Sequence, residues 1–132
     1  MRMIAGLILF GLLVAVAPAF AGDDFDGTKP LLCASIEALD CDPGVPCERG
    51  VPEVMAAPQF LRVDFAKNEI AGPKRTTKVR STEKYDDQII LQGHEIGLGW
   101  TFALDRATGS ARITFAGRDS TFIIFAACTA FP

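Results

Sequence analysis

Apolar and polar residues alternate along most of the chain beyond residue 31, and this period of two constrains the fold more than any other feature. The alternation is clearest over residues 98–105, in which every second side chain is large and apolar. Successive side chains of a β-strand point to opposite faces, so a segment of this kind buries one face and exposes the other. Turn-forming residues separate such segments, as in residues 105–109. The sequence therefore predicts an all-β domain.

The pattern divides the chain into eight predicted strands, joined mostly by short turns. They cover residues 32–39, 61–65, the surroundings of 70, 75–84, 89–91, 98–104, 111–115 and 121–128. Short connections favour an antiparallel meander, and closing an eight-stranded antiparallel meander into a small barrel would remove both edge strands. A two-sheet β-sandwich is the alternative that the pattern leaves open.

The first 21 residues have the organisation of a secretory signal peptide. Arg2 supplies the positive charge, and residues 4–16 form an unbroken apolar run that Pro18 interrupts. The sequence Ala19-Phe20-Ala21 places small residues at the two positions that a signal peptidase reads. We therefore predict that residues 1–21 are removed by cleavage before Gly22.

Residues 22–132 would then be the mature chain, which has the length of a single domain and is predicted to be one disulfide-stapled β domain. The expected location is periplasmic or secreted. A retained membrane anchor is disfavoured, because the apolar run over residues 3–21 is short and contains Pro18. Without Arg2 the chain has 16 acidic and 12 basic residues, a net charge near −4. That balance argues against a nucleic-acid partner.

Four cysteines in an exported chain are expected to form two disulfides, for which three connectivities exist. The turn-forming Pro43-Gly44 lies between Cys41 and Cys47 and would bring them together. Cys33 would then pair with Cys128 and join the first predicted strand to the last. These spacings do not suit structural zinc, which favours ligand pairs two to four residues apart. No metal or other cofactor is predicted.

Two further segments are expected to lack regular structure. Residues 22–29 are acidic and contain glycine, and we expect a mobile lead-in there. Residues 42–58 contain four prolines, and a proline cannot donate a backbone hydrogen bond to a neighbouring strand. The second segment is therefore predicted to be an irregular loop, stapled by the Cys41–Cys47 disulfide.

The predicted strand over residues 75–84 is polar on both faces, which an ordinary half-buried strand is not. Lys78, Arg80 and Lys84 occupy alternate positions, so they are expected to project from one side of it. A structural interpretation is a solvated edge strand protected by charge. The functional interpretation is a cationic strip that recognises an acidic protein, a polysaccharide or an anionic envelope lipid. These three residues are the predicted binding residues.

His94 is the single histidine, so any mechanism that needs an imidazole must use it. It lies near the end of a predicted strand, and no serine of the chain has a recognisable nucleophile context. We therefore expect a solvent-facing side chain and predict no catalytic residue. Trp100 shares one face of its predicted strand with Leu98 and Phe102, which predicts that its side chain packs in the core.

Several stretches of the mature chain carry a resemblance. They are residues 29–34, the Cys41–Cys47 loop, residues 58–65, residues 91–93, Gly99-Trp100 together with residues 105–109, and residues 125–129. In these motifs the chain resembles a family of small secreted proteobacterial proteins of unknown function. The family usually has glycine where this chain has Ala126. The resemblance implies export and a two-disulfide, all-β domain, and it supplies no catalytic residue.

Together these features predict an exported, monomeric, non-catalytic binding module of the periplasm or cell envelope. It would bind a small ligand in the mouth of the barrel, or an acidic envelope or protein partner through its loops and basic strand. One alternative is an inhibitor of exported proteases, with the loop over residues 42–58 as the inserting segment. A less favoured alternative is a small hydrolase that uses His94.

Overall fold

The computed structural model describes residues 23–131, and in that part of the chain it has ten β-strands and no helix. The strands are β1 (Leu31–Asp40), β2 (Glu48–Gly50), β3 (Phe60–Asp64), β4 (Glu69–Ala71), β5 (Thr76–Lys78), β6 (Ser81–Lys84), β7 (Gln88–Glu95), β8 (Leu98–Asp105), β9 (Ser110–Ala116) and β10 (Thr121–Ala130). The all-β prediction is confirmed. The predicted signal peptide and its cleavage site lie outside the described residues.

All ten strands belong to one antiparallel sheet. Its order is β5-β4-β3-β1-β10-β9-β8-β7-β6, and β2 pairs with β1 off this path. The two end strands, β5 and β6, follow each other in the chain and are separated only by Val79 and Arg80. The sheet therefore curls into a half-barrel meander, and the two-sheet sandwich is not formed. The meander was predicted, but β5 and β6 do not pair with each other, so two edge strands remain.

The eight predicted strands correspond to nine of the ten, because residues 75–84 form β5 and β6 instead of one strand. The tenth, β2, lies within the segment predicted to be irregular, and that prediction is wrong for residues 48–50. The segment between Cys47 and Val51 contains no proline. The Cys41–Cys47 disulfide turns the chain back along the end of β1, so these residues pair with Ala38–Asp40.

Both predicted disulfides are present. Cys33 of β1 lies directly opposite Cys128 of β10 in the antiparallel ladder, and both side chains are buried. This disulfide therefore joins the first and last strands inside the core. Cys41 and Cys47 close the short loop that follows β1.

The inner face of the curled sheet is packed with apolar side chains. The largest fully buried ones are Phe102, Leu31, Ile89, Leu91, Leu104, Ile124 and Val63. They occupy alternate strand positions, which is the arrangement that the sequence pattern predicted. Trp100 is only 4% exposed, so its predicted place in the core is confirmed. The interior is accordingly a hydrophobic core.

Residues 23–30, which precede β1, pack against one end of the sheet. The Phe25 side chain contacts the core, and Gly27 is buried. An Asp23 carboxylate oxygen lies 2.6 Å from an Arg106 guanidinium nitrogen, and the same guanidinium donates a hydrogen bond to the Tyr85 carbonyl. The prediction of a mobile lead-in is therefore wrong, because one aromatic side chain in this acidic segment has a core to pack against.

Two carboxylates organise turns at this end of the domain. One Asp26 oxygen accepts hydrogen bonds from the side chain and backbone of Thr28, which lower the pKa of Asp26 below its ordinary 3.8. One Asp105 oxygen accepts backbone hydrogen bonds from Thr108 and Ala107, which lower the pKa of Asp105 in the same way. The turn predicted over residues 105–109 is thus confirmed.

These lowered pKa values predict a loss of stability in acid. A carboxylate whose pKa is lower in the folded state stabilises the fold above the unfolded pKa, and this contribution disappears as pH falls through the folded pKa. We expect Asp105→Asn to lower the melting temperature at pH 7 and to change it much less at pH 2. Circular dichroism melts from pH 2 to pH 7 measure this. An equal difference between wild type and variant at all pH values would contradict it.

The hydroxyl group of Thr77 in β5 links the polar segment, residues 75–84, to β7 and β8. It accepts a hydrogen bond from the Trp100 indole nitrogen at 3.3 Å and donates one to the His94 carbonyl at 3.4 Å. Thr77→Val keeps the shape of the side chain but leaves the buried indole N–H without this partner. We expect the free energy of unfolding to fall by about 1–3 kcal/mol. Urea denaturation measures it, with the exposed Thr76→Val as the control that should change little.

Candidate functional site

The three predicted binding residues lie in three different surroundings. The Lys78 ammonium of β5 is 3.1 Å from a Glu69 carboxylate oxygen on β4. The Lys84 ammonium of β6 donates a hydrogen bond at 3.3 Å to the carbonyl of Gly27, at the end that the lead-in covers. Arg80, between the two strands, lines a groove on the outer surface. The three side chains therefore do not form one strip.

A change of pairing partner within the polar segment explains this separation. β5 pairs with β4, whereas β6 pairs with β7, and the chain between them carries Val79, which packs against the core. Strict alternation of faces is interrupted there, so Lys84 lies opposite the buried Ile89 while Lys78 lies opposite Glu69. The segment is hydrogen bonded on one side and then on the other, so the edge strand that the sequence favoured is present as two short, mostly exposed edge strands, β5 and β6.

The groove beside Arg80 has a volume of about 470 Å³ and lies over β7, β8 and β9. Two rows of facing residues form it. The first row is His94, Gly99 and Ala116, and the second is Gln92, Thr101 and Thr114. The small residues of the first row leave space, and the second row supplies an amide and two hydroxyl groups. The Gln92 amide donates a hydrogen bond to the Thr101 hydroxyl at 3.3 Å.

His94 is exposed on this groove, as predicted for a solvent-facing residue. The hydroxyl groups that line the groove with it belong to Thr101 and Thr114. In the described part of the chain, no group of three or more His, Cys, Asp or Glu side chains could hold a metal ion. No helix within residues 23–131 is long and apolar enough to cross a membrane.

A second surface, the stapled-loop face, is apolar and exposed. It consists of Ile36, Val45, Val51, Val54 and Phe60, whose exposed fractions lie between 53% and 78%. Among the described residues, only Tyr85 and Ile96 are other large apolar side chains with comparable exposure. This face was not predicted from the sequence. The available signal was a set of valines in a proline-rich loop, where polar residues are usual.

The register of β1 places the segments that carry Ile36, Val51, Val54 and Phe60 beside one another. Phe60 lies opposite Ala34, and Gly50 lies opposite Ala38, so β3 and β2 flank the same side of β1 four residues apart. Four strand residues span about 13 Å. The chain from 51 to 59 bridges this gap, and the Ser35 amide donates a hydrogen bond to the Gln59 carbonyl. Ile36 lies at the bulge of β1 within the same interval.

Several contacts hold the bridging turn in place. The amides of Val54 and Met55 both donate to the Val51 carbonyl, and the Ala57 amide donates to the Pro52 carbonyl. Pro52 is buried, and the Met55 side chain packs against the core. The Val54 side chain is thereby presented to solvent, with 78% of its surface exposed.

Acidic residues are frequent in the segment that carries four of the five side chains of the stapled-loop face or adjoins them. Residues 36–53 contain Glu37, Asp40, Asp42, Glu48 and Glu53. Arg49 is the one basic residue in this interval, and its guanidinium lies 3.1 Å from a Glu37 oxygen. This surface therefore has an apolar centre and a rim with a net negative charge.

No protein-family model, curated protein or solved structure matches this chain. The resemblance to secreted proteobacterial proteins consequently rests on the sequence motifs alone. The structure itself defines a small all-β domain with two disulfides. Two disulfides in a chain of this size indicate an oxidising, extracytoplasmic compartment.

Proposed function

We propose that the chain is an exported, non-catalytic binding module of the periplasm or cell envelope that holds a protein partner on its stapled-loop face. It would belong with the small secreted proteobacterial proteins that its motifs resemble. One observation carries the proposal: five of the seven large apolar side chains that are exposed in the described residues lie on this face. A group of exposed large apolar side chains on neighbouring segments of a small domain commonly marks an interaction site.

The charge around the face favours a particular partner. An apolar centre whose rim carries five carboxylates and one guanidinium complements a segment with apolar side chains flanked by lysine or arginine. The acidic partner expected from the sequence depended on a shared cationic strip, which Lys78, Arg80 and Lys84 do not form. The barrel mouth is also a less suitable ligand site, because apolar side chains pack the interior.

The test compares three baits in pull-downs from envelope extract. Val54→Ser with Ile36→Ser removes two exposed apolar side chains from the face, and Ile96→Ser removes one of similar exposure, 71%, from the β7–β8 hairpin. Surface substitutions of this kind usually change stability by less than about 0.5 kcal/mol. We expect one basic protein to be captured by wild type and by the Ile96 variant, and lost from the double variant.

Salt provides a second readout of the same proposal. A partner held partly by charge should be released at high ionic strength, because salt screens exposed charges beyond about 10 Å at 0.1 M. Capture of the same proteins by all three baits would contradict a binding role for this face. Capture of acidic proteins alone would contradict the proposed partner class.

A protease inhibitor is the second candidate, and the exposed Val54 favours it. A hydrogen-bonded turn that presents one apolar side chain is a suitable segment for insertion into a protease cleft. Titration of exported proteases with the protein tests it. Inhibition that Val54→Ser weakens at least about 10-fold, with Ile96→Ser unchanged, would support this candidate. Unaltered protease activity at saturating protein would exclude it for the proteases assayed.

A further inference from the structure

The groove beside Arg80 and the stapled-loop face are carried by different strands of the sheet. The groove covers the outer face of β7, β8 and β9, whereas the stapled-loop face belongs to β1, β2 and β3, and β10 separates the two groups. The depression exists because Gly99 and Ala116 carry little or no side chain at neighbouring outward positions. Nothing in the proposed protein-binding role uses it.

The lining of the groove combines neutral hydrogen-bonding groups with one strong cation. Gln92, Thr101 and Thr114 supply an amide and two hydroxyls, each able to donate and to accept. Arg80 directly precedes β6, and its backbone amide donates a hydrogen bond to the Gln92 carbonyl at 2.8 Å. Among residues 23–131, the arginines that form ion pairs are Arg49, Arg75, Arg106 and Arg118, and Arg80 has no such partner.

We propose that this groove binds an acidic saccharide, with the carboxylate of the sugar against Arg80 and its hydroxyl groups against the threonine and glutamine side chains. The volume of about 470 Å³ lies within the roughly 300–1,000 Å³ range of small-molecule sites. A guanidinium can hold a carboxylate through two parallel hydrogen bonds. Several neutral donors and acceptors beside one cation match a polyhydroxylated ligand with a localised negative charge.

Gly99 allows the groove to be filled without disturbing the core. A Cβ atom at Gly99 would meet the Ala116 carbonyl oxygen at 3.8 Å, which is ordinary contact, and its φ is not in the left-handed region. Gly99→Thr should therefore occupy the groove while retaining the fold, since β-branched residues suit strands. Gly93 is unsuitable for this purpose, because a Cβ there would overlap the Trp100 ring. Ala127→Thr, exposed on β10, is the matched control.

The experiment titrates the oxidised protein with digalacturonate, with its uncharged dimethyl ester and with inorganic phosphate, followed by calorimetry and amide NMR shifts. We expect saturable digalacturonate binding with shifts at Gly99 and Thr101, and binding of the ester at least about 10-fold weaker because the charge-assisted contact is lost. Gly99→Thr and Arg80→Gln should each weaken digalacturonate binding about 10-fold or more. Ala127→Thr and Arg118→Gln, which is fully exposed, should bind as wild type does.

Each alternative result overturns a defined part of the proposal. Absence of saturable digalacturonate binding, or unchanged binding by a folded Gly99→Thr variant, removes the groove as a saccharide site. Equal binding of the ester removes the role of Arg80 as a carboxylate partner. Phosphate that binds as tightly as digalacturonate would show a simple anion site in place of a saccharide site. Melting temperatures equal to that of wild type verify that the variants are folded.

Discussion

Removing the Cys33–Cys128 disulfide is expected to lower the free energy of unfolding by about 4.7 kcal/mol. The two cysteines are 95 residues apart, so the disulfide closes a loop that includes most of the domain. Its loss returns that conformational freedom to the unfolded chain, which is the main source of the effect in the loop-entropy model. Since domains are typically stable by only 5–15 kcal/mol, the Cys33→Ala/Cys128→Ala variant should unfold at much lower urea concentration.

The matched control is Cys41→Ala/Cys47→Ala, in which the disulfide closes a separation of only 6 residues. The same model gives about 2.3 kcal/mol for it. Urea denaturation of the two double variants and of wild type gives both differences. Equal losses, or a larger loss from the small loop, would contradict the entropic explanation. In addition, the short-loop variant should bind the envelope partner more weakly, because its disulfide lies beside the stapled-loop face.

Gly109→Ala is expected to lower the free energy of unfolding by about 2–5 kcal/mol. Gly109 has φ of +74°, a conformation that costs a residue with a Cβ about 1–2 kcal/mol. The added Cβ would also lie 2.7 Å from the Cys128 carbonyl oxygen and would overlap the Phe25 ring. One methyl group would therefore disturb the turn, the end of β10 and the packed lead-in together. Urea denaturation measures the loss.

Gly44→Ala separates the two causes of this effect. Gly44 has φ of +80°, and a Cβ there would have no atom within 4 Å, so only the conformational cost of about 1–2 kcal/mol remains. In a Phe25→Ala background, Gly109→Ala should cost less than in wild type, because part of the overlap is already removed. If Gly109→Ala cost no more than Gly44→Ala, the packing of the lead-in against Gly109 would be contradicted.

Local patterns were sufficient to predict the strands and the core. The period of two over residues 98–105 predicted which side chains of β8 are buried, because alternation depends only on the geometry of the strand itself. The turn at Asp105 follows from hydrogen bonds within four residues. Both disulfides could be predicted, because one pair is linked by a turn and the other joins the ends of the meander.

Features that depend on distant partners could not be predicted in this way. Residues 75–84 read as one continuous edge strand, since no local signal shows that they form two edge strands, the first paired with β4 and the second with β7. The acidic lead-in read as mobile, since the site that Phe25 packs into is formed by residues from other parts of the chain. For the same reason Lys84 was assigned to a shared cationic strip, although its ammonium group contacts Gly27.

The candidate site was predicted only in part. Arg80 was named from the sequence, and it lines the groove together with His94. The stapled-loop face was missed, because its members come from β1, β3 and two loops that are adjacent only after folding. Val45, Val51 and Val54 were visible in the sequence as apolar residues in a proline-rich loop, and this combination was the signal available.

Photo-crosslinking in intact cells tests the central claim, the binding of a basic protein by the stapled-loop face, most directly. A benzophenone amino acid replaces Val54 in one variant and Ile96 in another, since both side chains are more than two-thirds exposed. We predict that irradiation yields one covalent adduct with a basic protein from position 54 and none from position 96. Adducts from position 96 with none from position 54 would contradict the claim, as would the same adducts from both.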